Sequence, residues 1–215
     1  QQQLVQTLQQ AVQLHQLGQL STAIELYQIV LSRVPANFDA LRLMGVAKMQ
    51  LGQVEEAITL LKKARGIQPR AAELLRHLGL TYKNAGEFEL AQKTYEDALK
   101  LAPTDLNTLL NLGALWMIQG QPLQAALVFQ RAAGAHPQAP LPQVQLGEAF
   151  LAAGQTDEAI EAFEVILKRD ERSVDALLGK GRGYLQQGSL GEAADTLQSA
   201  VNHHPKKPHA HNSLG

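Results

Sequence analysis

Three clusters of residues carry types that could do chemistry. Gly179-Lys180-Gly181-Arg182-Gly183 has the glycines and cations of a loop that cradles phosphate. His203, His204, His209 and His211, in the stretch HHPKKPHAH, offer imidazoles to a divalent metal. Glu55-Glu56 and Asp157-Glu158 place carboxylates side by side, as general acid–base catalysis can require. Each has a plainer reading. GKGRG lacks the spacing and the preceding strand of a nucleotide loop, and it falls inside a helical pattern. The histidine tract also reads as a polar turn, where His and Lys suit the end of a helix. The acid pairs sit in the first turn of helical patterns, where the helix dipole favours them and no closed pocket tunes their pKa. No GxSxG, HExxH or glycine-rich dinucleotide motif occurs. The expectation is a protein that is not an enzyme, with no cofactor and no metal.

The elements that position these residues repeat. Ala72 to Asp105 holds two amphipathic helical patterns joined at Asn84-Ala85-Gly86 and closed by Pro103. The pattern returns every 34 residues without an insertion. The eighth position reads Ala11, Gly45, Gly79, Gly113, Gly147 and Gly181; the fifteenth reads Gly18, Gly52, Gly86, Gly120, Gly154 and Gly188. The twentieth is alanine in every repeat, from Ala23 to Ala193. The thirty-second is Pro35, Pro69, Pro103, Pro137, Glu171 and Pro205. Small residues at eight and twenty let two helices approach. A mid-helix glycine costs about 1 kcal/mol against alanine, so a column of them implies a packing need. Proline at thirty-two cannot continue a helix.

These columns resemble the tetratricopeptide repeat, whose pattern is W-x2-L-G-x2-Y, then A-x3-F-x2-A, then P. Leu109, Leu112, Gly113, Trp116, Ala125, Phe129, Ala132 and Pro137 carry it most clearly. The resemblance spans 4–207 as six repeats: 4–37, 38–71, 72–105, 106–139, 140–173 and 174–207. Residues 1–3 form a leader, and 208–215 open a seventh repeat. Departures are Glu171 for proline, and Lys180 and Gln10 for an apolar seventh residue. The sixth repeat looks the weakest, with Gly179, Gly181 and Gly183 in one helix. The resemblance implies an all-α right-handed superhelix of helix hairpins in which the first helix of each repeat lines a concave groove.

Positions 2, 5, 9 and 12 of a first helix share one face, and position 6 lies beside it. On this face the candidate peptide-binding residues are Arg42, Arg76, His77, Leu80, Lys83, Asn107, Leu110, Asn111, Met117, Val144, Gln145 and Glu148. Apolar side chains of a partner would sit around Leu80, Leu110, Met117 and Val144. Asn107, Asn111 and Gln145 would bond its backbone, and Arg42, Arg76 and Lys83 would meet its acidic groups. A plainer reading has the apolar residues packing the superhelix, with Asp39–Arg42 and Glu73–Arg76 satisfying each other as i,i+3 pairs. One subfamily clamps the terminal carboxylate of chaperones with Lys-x3-Asn, Asn and Lys-x3-Arg in successive repeats. Here the corresponding windows are Arg76, Leu80, Asn111, Leu141, Gln145 and Arg42, Val46, His77, Asn107, Asn111, so that clamp is not expected.

A net charge of −1 supplies no field for nucleic acid or an anionic membrane. No apolar run is long enough to span a bilayer. The absence of cysteine excludes disulfides and thiolate ligands and suits cytoplasm and periplasm alike. The expected partner is a protein or peptide, bound by an interaction scaffold. Two alternatives stand beside this. The chain begins without methionine and stops inside a repeat, as a piece of a longer protein would. Its first repeats resemble those that precede sulfotransferase or glycosyltransferase domains in bacterial proteins, which makes it a recruiting or regulatory arm. An open end at Leu214 makes it a module that associates with itself.

Overall fold

The computed structural model describes residues 2–203. Gln1, Pro205, the start of a seventh repeat, the open end at Leu214, and His204, His209 and His211 lie outside these residues. The described chain is all-α: α1 (Gln2–Gln16), α2 (Leu20–Arg33), α3 (Phe38–Gln50), α4 (Val54–Ile67), α5 (Ala72–Asn84), α6 (Phe88–Leu101), α7 (Leu106–Ile118), α8 (Pro122–Ala135), α9 (Pro140–Ala152), α10 (Thr156–Leu167), α11 (Val174–Gln187) and α12 (Leu190–His203). It divides after Thr108 into an N-terminal and a C-terminal block.

Both blocks use one hairpin. The first helix ends in a glycine at positive φ, such as Gly86 at 79°. The residue after that glycine bonds back five residues, as Glu87 N–H does to Tyr82 O at 3.0 Å. This closes the orphan carbonyls of the helix end and turns the chain back on itself. Pro122 opens α8 at its first position, where a missing N–H costs nothing. Asn37 caps α3 by accepting from Ala40 N–H at 2.9 Å.

The small eighth residue is a seat for a large side chain of the second helix. In the N-terminal block, a Cβ on Gly79 would lie 2.7 Å from the ring of Tyr95. In the C-terminal block, Gly113 faces Phe129 and Gly181 faces Leu197 in the same way. The seated residues Tyr27, Leu61, Tyr95, Phe129, Phe163 and Leu197 are all among the most deeply buried side chains. The alanines at position twenty, from Ala23 to Ala193, are buried against them. Each such aromatic contributes roughly 3–5 kcal/mol, judged by the cost of its truncation to alanine.

The sixth repeat is not loosely built. Phe163 fits between two glycines, with built Cβ atoms 2.5 Å away on Gly147 and 2.3 Å away on Gly179. A Cβ on Gly183 would lie 2.8 Å from the side chain of Ile160. Each of the three glycines of α11 therefore leaves room for a different neighbour, Phe163, Leu197 or Ile160, that a side chain there would clash with. GKGRG is helix, not a phosphate loop. Lys180, at the apolar seventh position, reaches Glu164 on α10 at 2.8 Å and lies 5.4 Å from the Tyr184 ring centroid. Burial pulls its pKa down, but the hydrogen bond and charge of Glu164 outweigh this, so it stays raised.

Candidate binding faces on the first helices

In the N-terminal block α1 touches α3 and α3 touches α5, so the first helices form one layer. Arg42 on α3 and Arg76 on α5 hold the same position in successive repeats. Their side chains are only 14% and 19% exposed. Glu73 Oε1 lies 3.1 Å from Arg42 Nη1 and 3.9 Å from Arg76 Nη2, while its own side chain is 60% exposed. Arg42 also approaches Asp39 at 3.5 Å and stands 6.0 Å from the Phe38 ring centroid. One exposed carboxylate thus bridges two largely buried guanidinium groups.

Arg76 Nη2 is 2.9 Å from His77 Nε2. A guanidinium only donates, so Nε2 accepts and the imidazole proton sits on Nδ1. That Nδ1 is buried and has no hydrogen-bond partner. Burial, then the charges of Arg76 and Arg42 and the nearby His15, push the His77 pKa from 6.5 down to about 3. Tyr95 Oη is likewise buried without a partner. Burial raises its pKa, against the pull of Arg76. In the first repeat, His15 Nε2 donates to Gln50 Oε1 at 3.0 Å and Nδ1 accepts from Tyr27 Oη at 3.3 Å. Burial raises the Tyr27 pKa to about 12. Lys83 is half-buried, which lowers its pKa. Leu80 is half-buried and Asn107 is exposed.

In the C-terminal block the corresponding face is more apolar. Leu110 and Met117 are half-buried and pack on the core around Phe129 and Leu146. Val144 packs on Leu151, Phe163 and Ile166. Asn111 and Gln145 are half-buried on α7 and α9. Arg182 on α11 donates from Nη2 to Glu148 Oε1 on α9. Met117, Leu151, Glu148 and Arg182 line a shallow cleft of about 280 Å³. Glu148, a candidate to meet a partner, is already neutralised within the chain.

Two residues at positions 2 and 9 of these faces were not among the candidate peptide-binding residues. Glu73 bridges the arginines, and Arg182 pairs Glu148. A signal existed for the second: Glu148 and Arg182 are 34 residues apart, one repeat length, with opposite charge. Among the described residues no group of three His, Asp or Glu side chains gathers to hold a metal. Among them, too, no helix is long and apolar enough to cross a membrane.

A sequence profile of the tetratricopeptide repeat matches residues 77–140 and 144–211, and a second one matches 14–79. No curated protein matches by sequence. PilW, a widely conserved type IV pilus biogenesis factor, is 21% identical, with a TM-score of 0.81 and 100% of both chains covered. The pilF protein of Pseudomonas aeruginosa is 17% identical, with a TM-score of 0.75 over 97% of this chain and 95% of its own. YrrB, a repeat protein with an unusual peptide-binding site, is 20% identical, with a TM-score of 0.69 over 87% of this chain and 96% of its own. At these identities the likeness is one of fold.

Proposed function

Because the chain belongs to the tetratricopeptide repeat family, whose repeats serve as protein-interaction scaffolds, we propose that it is a non-catalytic scaffold whose first-helix face in the N-terminal block binds an acidic segment of a partner peptide or helix. The observation that carries this is the seat between Arg42 and Arg76. Two guanidinium groups, both largely buried and that of Arg76 also held by His77, point at one oxygen of a carboxylate that is itself mostly in solvent. Glu73 is an internal stand-in for an acidic side chain of the partner. Displacing it costs little, because its own side chain is 60% exposed and the incoming carboxylate takes over the same two guanidinium groups. The partner's carboxylate gains charge-assisted bonds to arginines already oriented. Leu80 and Lys83, one and two turns along α5, would take an apolar neighbour and a second acidic group. In the C-terminal block, Leu110, Asn111, Met117, Val144 and Gln145 offer a less charged surface for the apolar part of a partner.

Selection from a random peptide library, followed by fluorescence anisotropy on the enriched peptides, tests this. Enriched peptides are expected to carry an acidic residue. The double change Arg42→Ala, Arg76→Ala should weaken them at least about tenfold, which is ~1.4 kcal/mol. Circular dichroism would check that the variant keeps its helices. Enriched peptides without acidic residues, or affinity unchanged in the double variant, would remove the binding site from this face.

A further inference from the structure

The fifth repeat ends differently from the first four. Their second helices run for 14 residues, pass through one extended residue such as Val34 or Ala102, and meet the proline. Here α10 is 12 residues long, Lys168 stays in the α region, and Glu171 stands where proline would. Without the steric demand of proline on the residue before it, the chain tightens. Both Arg169 N–H and Asp170 N–H bond the carbonyl of Ile166 at 2.9 Å. The turn that results carries Arg169 back to the preceding inter-repeat turn, where its Nη1 donates to Pro137 O.

A cavity of about 310 Å³ opens between these two turns, wholly within the C-terminal block. That lies at the lower end of the range for binding pockets, roughly 300–1,000 Å³. Its floor is Ala133, Val165 and Ile166, and its rim is Gln143, Arg169 and Asp170. Val165 is 39% exposed, a large apolar side chain facing solvent at the pocket. The rim has bonding capacity left over. Arg169 uses one guanidinium N–H on Pro137, and Asp170 uses Oδ1 to accept from Arg172 N–H at 3.1 Å. Ser173 sits at the N-cap of α11 without capping it through its side chain.

We propose that this cavity binds one apolar residue of an extended partner peptide. The side chain lies on the Val165–Ile166 floor, its carbonyl accepts from Arg169, and its N–H donates to Asp170. A donor beside an acceptor matches the C=O and N–H that flank one residue, and a guanidinium beside a carboxylate leaves the rim neutral, as a neutral ligand requires. The volume exceeds that of a single side chain, so the main chain is held as well. The site shares no residue with the Arg42–Arg76 seat and does not depend on binding there.

The test is a ¹⁵N-HSQC titration of the full chain with N-acetyl-leucinamide and N-acetyl-phenylalaninamide. N-acetyl-glycinamide and free leucine serve as comparisons. At least one apolar amide should give saturable millimolar shifts at Val165, Ile166 and Ser173, and the glycine compound should not. Val165→Glu should abolish those shifts, and Arg169→Gln should weaken them severalfold should Val165→Glu fail to fold. Arg76→Glu should leave them unchanged, which separates this site from the acidic-peptide seat. No saturable shift, or equal shifts from the glycine compound, would overturn the proposal. Tighter binding of free leucine than of its capped form would also overturn it, in favour of a site for a small zwitterion.

Discussion

The two first-helix faces solve the same problem of stacked charge in opposite ways. In the N-terminal block, Arg42 and Arg76 occupy one repeat position with like charge, and a third residue, Glu73, must bridge them. In the C-terminal block, Glu148 and Arg182 occupy one repeat position with opposite charge and neutralise each other directly. The difference shows that a solenoid face is written one repeat apart. Opposite charges 34 residues apart pair directly, and like charges need a carboxylate from a third position between them. Burial sharpens the contrast. The arginines of the first pair are 14% and 19% exposed, whereas Arg182 is 48% exposed. A guanidinium removed from water holds its geometry and attracts a counter-charge more strongly than one that remains solvated.

The largest way to disturb the comparison is through the seats beneath each face. Gly79→Leu should overpack Tyr95 in one block and Gly147→Leu should overpack Phe163 in the other, each by roughly 1–3 kcal/mol. Urea denaturation would read this as a lower midpoint at unchanged m-value. An unshifted midpoint for either would mean that the glycine is not a helix-contact seat.

His77 should give the N-terminal face a pH dependence. Its folded pKa, about 3, lies below the unfolded value of 6.5. The unfolded chain therefore binds a proton that the folded chain refuses. The stability is fully present above pH 6.5 and is lost as pH falls from there toward 3. Between pH 7 and pH 5 the loss from this group should be about 1–2 kcal/mol. Urea curves at the two pH values for the native chain and for His77→Asn would test it, because the variant should lose that share of the slope. Equal slopes would show that His77 titrates normally.

Removing one acid from each face gives the smallest effect and the most direct contrast. Glu73→Ala leaves two largely buried guanidinium groups without their shared carboxylate and should cost about 1 kcal/mol, discounted for the exposure of Glu73 itself. Glu148→Ala leaves a half-exposed arginine and should cost at most about 0.5 kcal/mol. Equal costs in thermal or urea melts would erase the distinction between the faces. Glu73→Ala should at the same time raise affinity for acidic peptides, since the internal competitor is gone.

Much of the fold was legible before any coordinates. The glycine at fifteen, the alanine at twenty and the proline at thirty-two act through local backbone freedom and short-range sterics, so their columns speak for themselves. The candidate face was legible as a set of positions, because helical periodicity decides which residues share a side. Which charges would be spent within the chain was less so. Glu73 was visible as a neighbour of Arg76 three residues away, and its second contact to Arg42 needs α3 and α5 side by side. Unit six looked weak because glycines in a helix carry a cost in isolation; only the ring of Phe163, entering from α10, shows why they are there.

Sequence alone determined the repeat length, the helix hairpins and the family, because these rest on local conformational preferences read 34 residues apart. Tertiary structure alone decided the burial of Arg42, Arg76 and His77, the seat of Phe163 between two glycines, and the cavity beside Glu171. Those depend on how side chains from different helices share space and charge, which no spacing along one chain specifies.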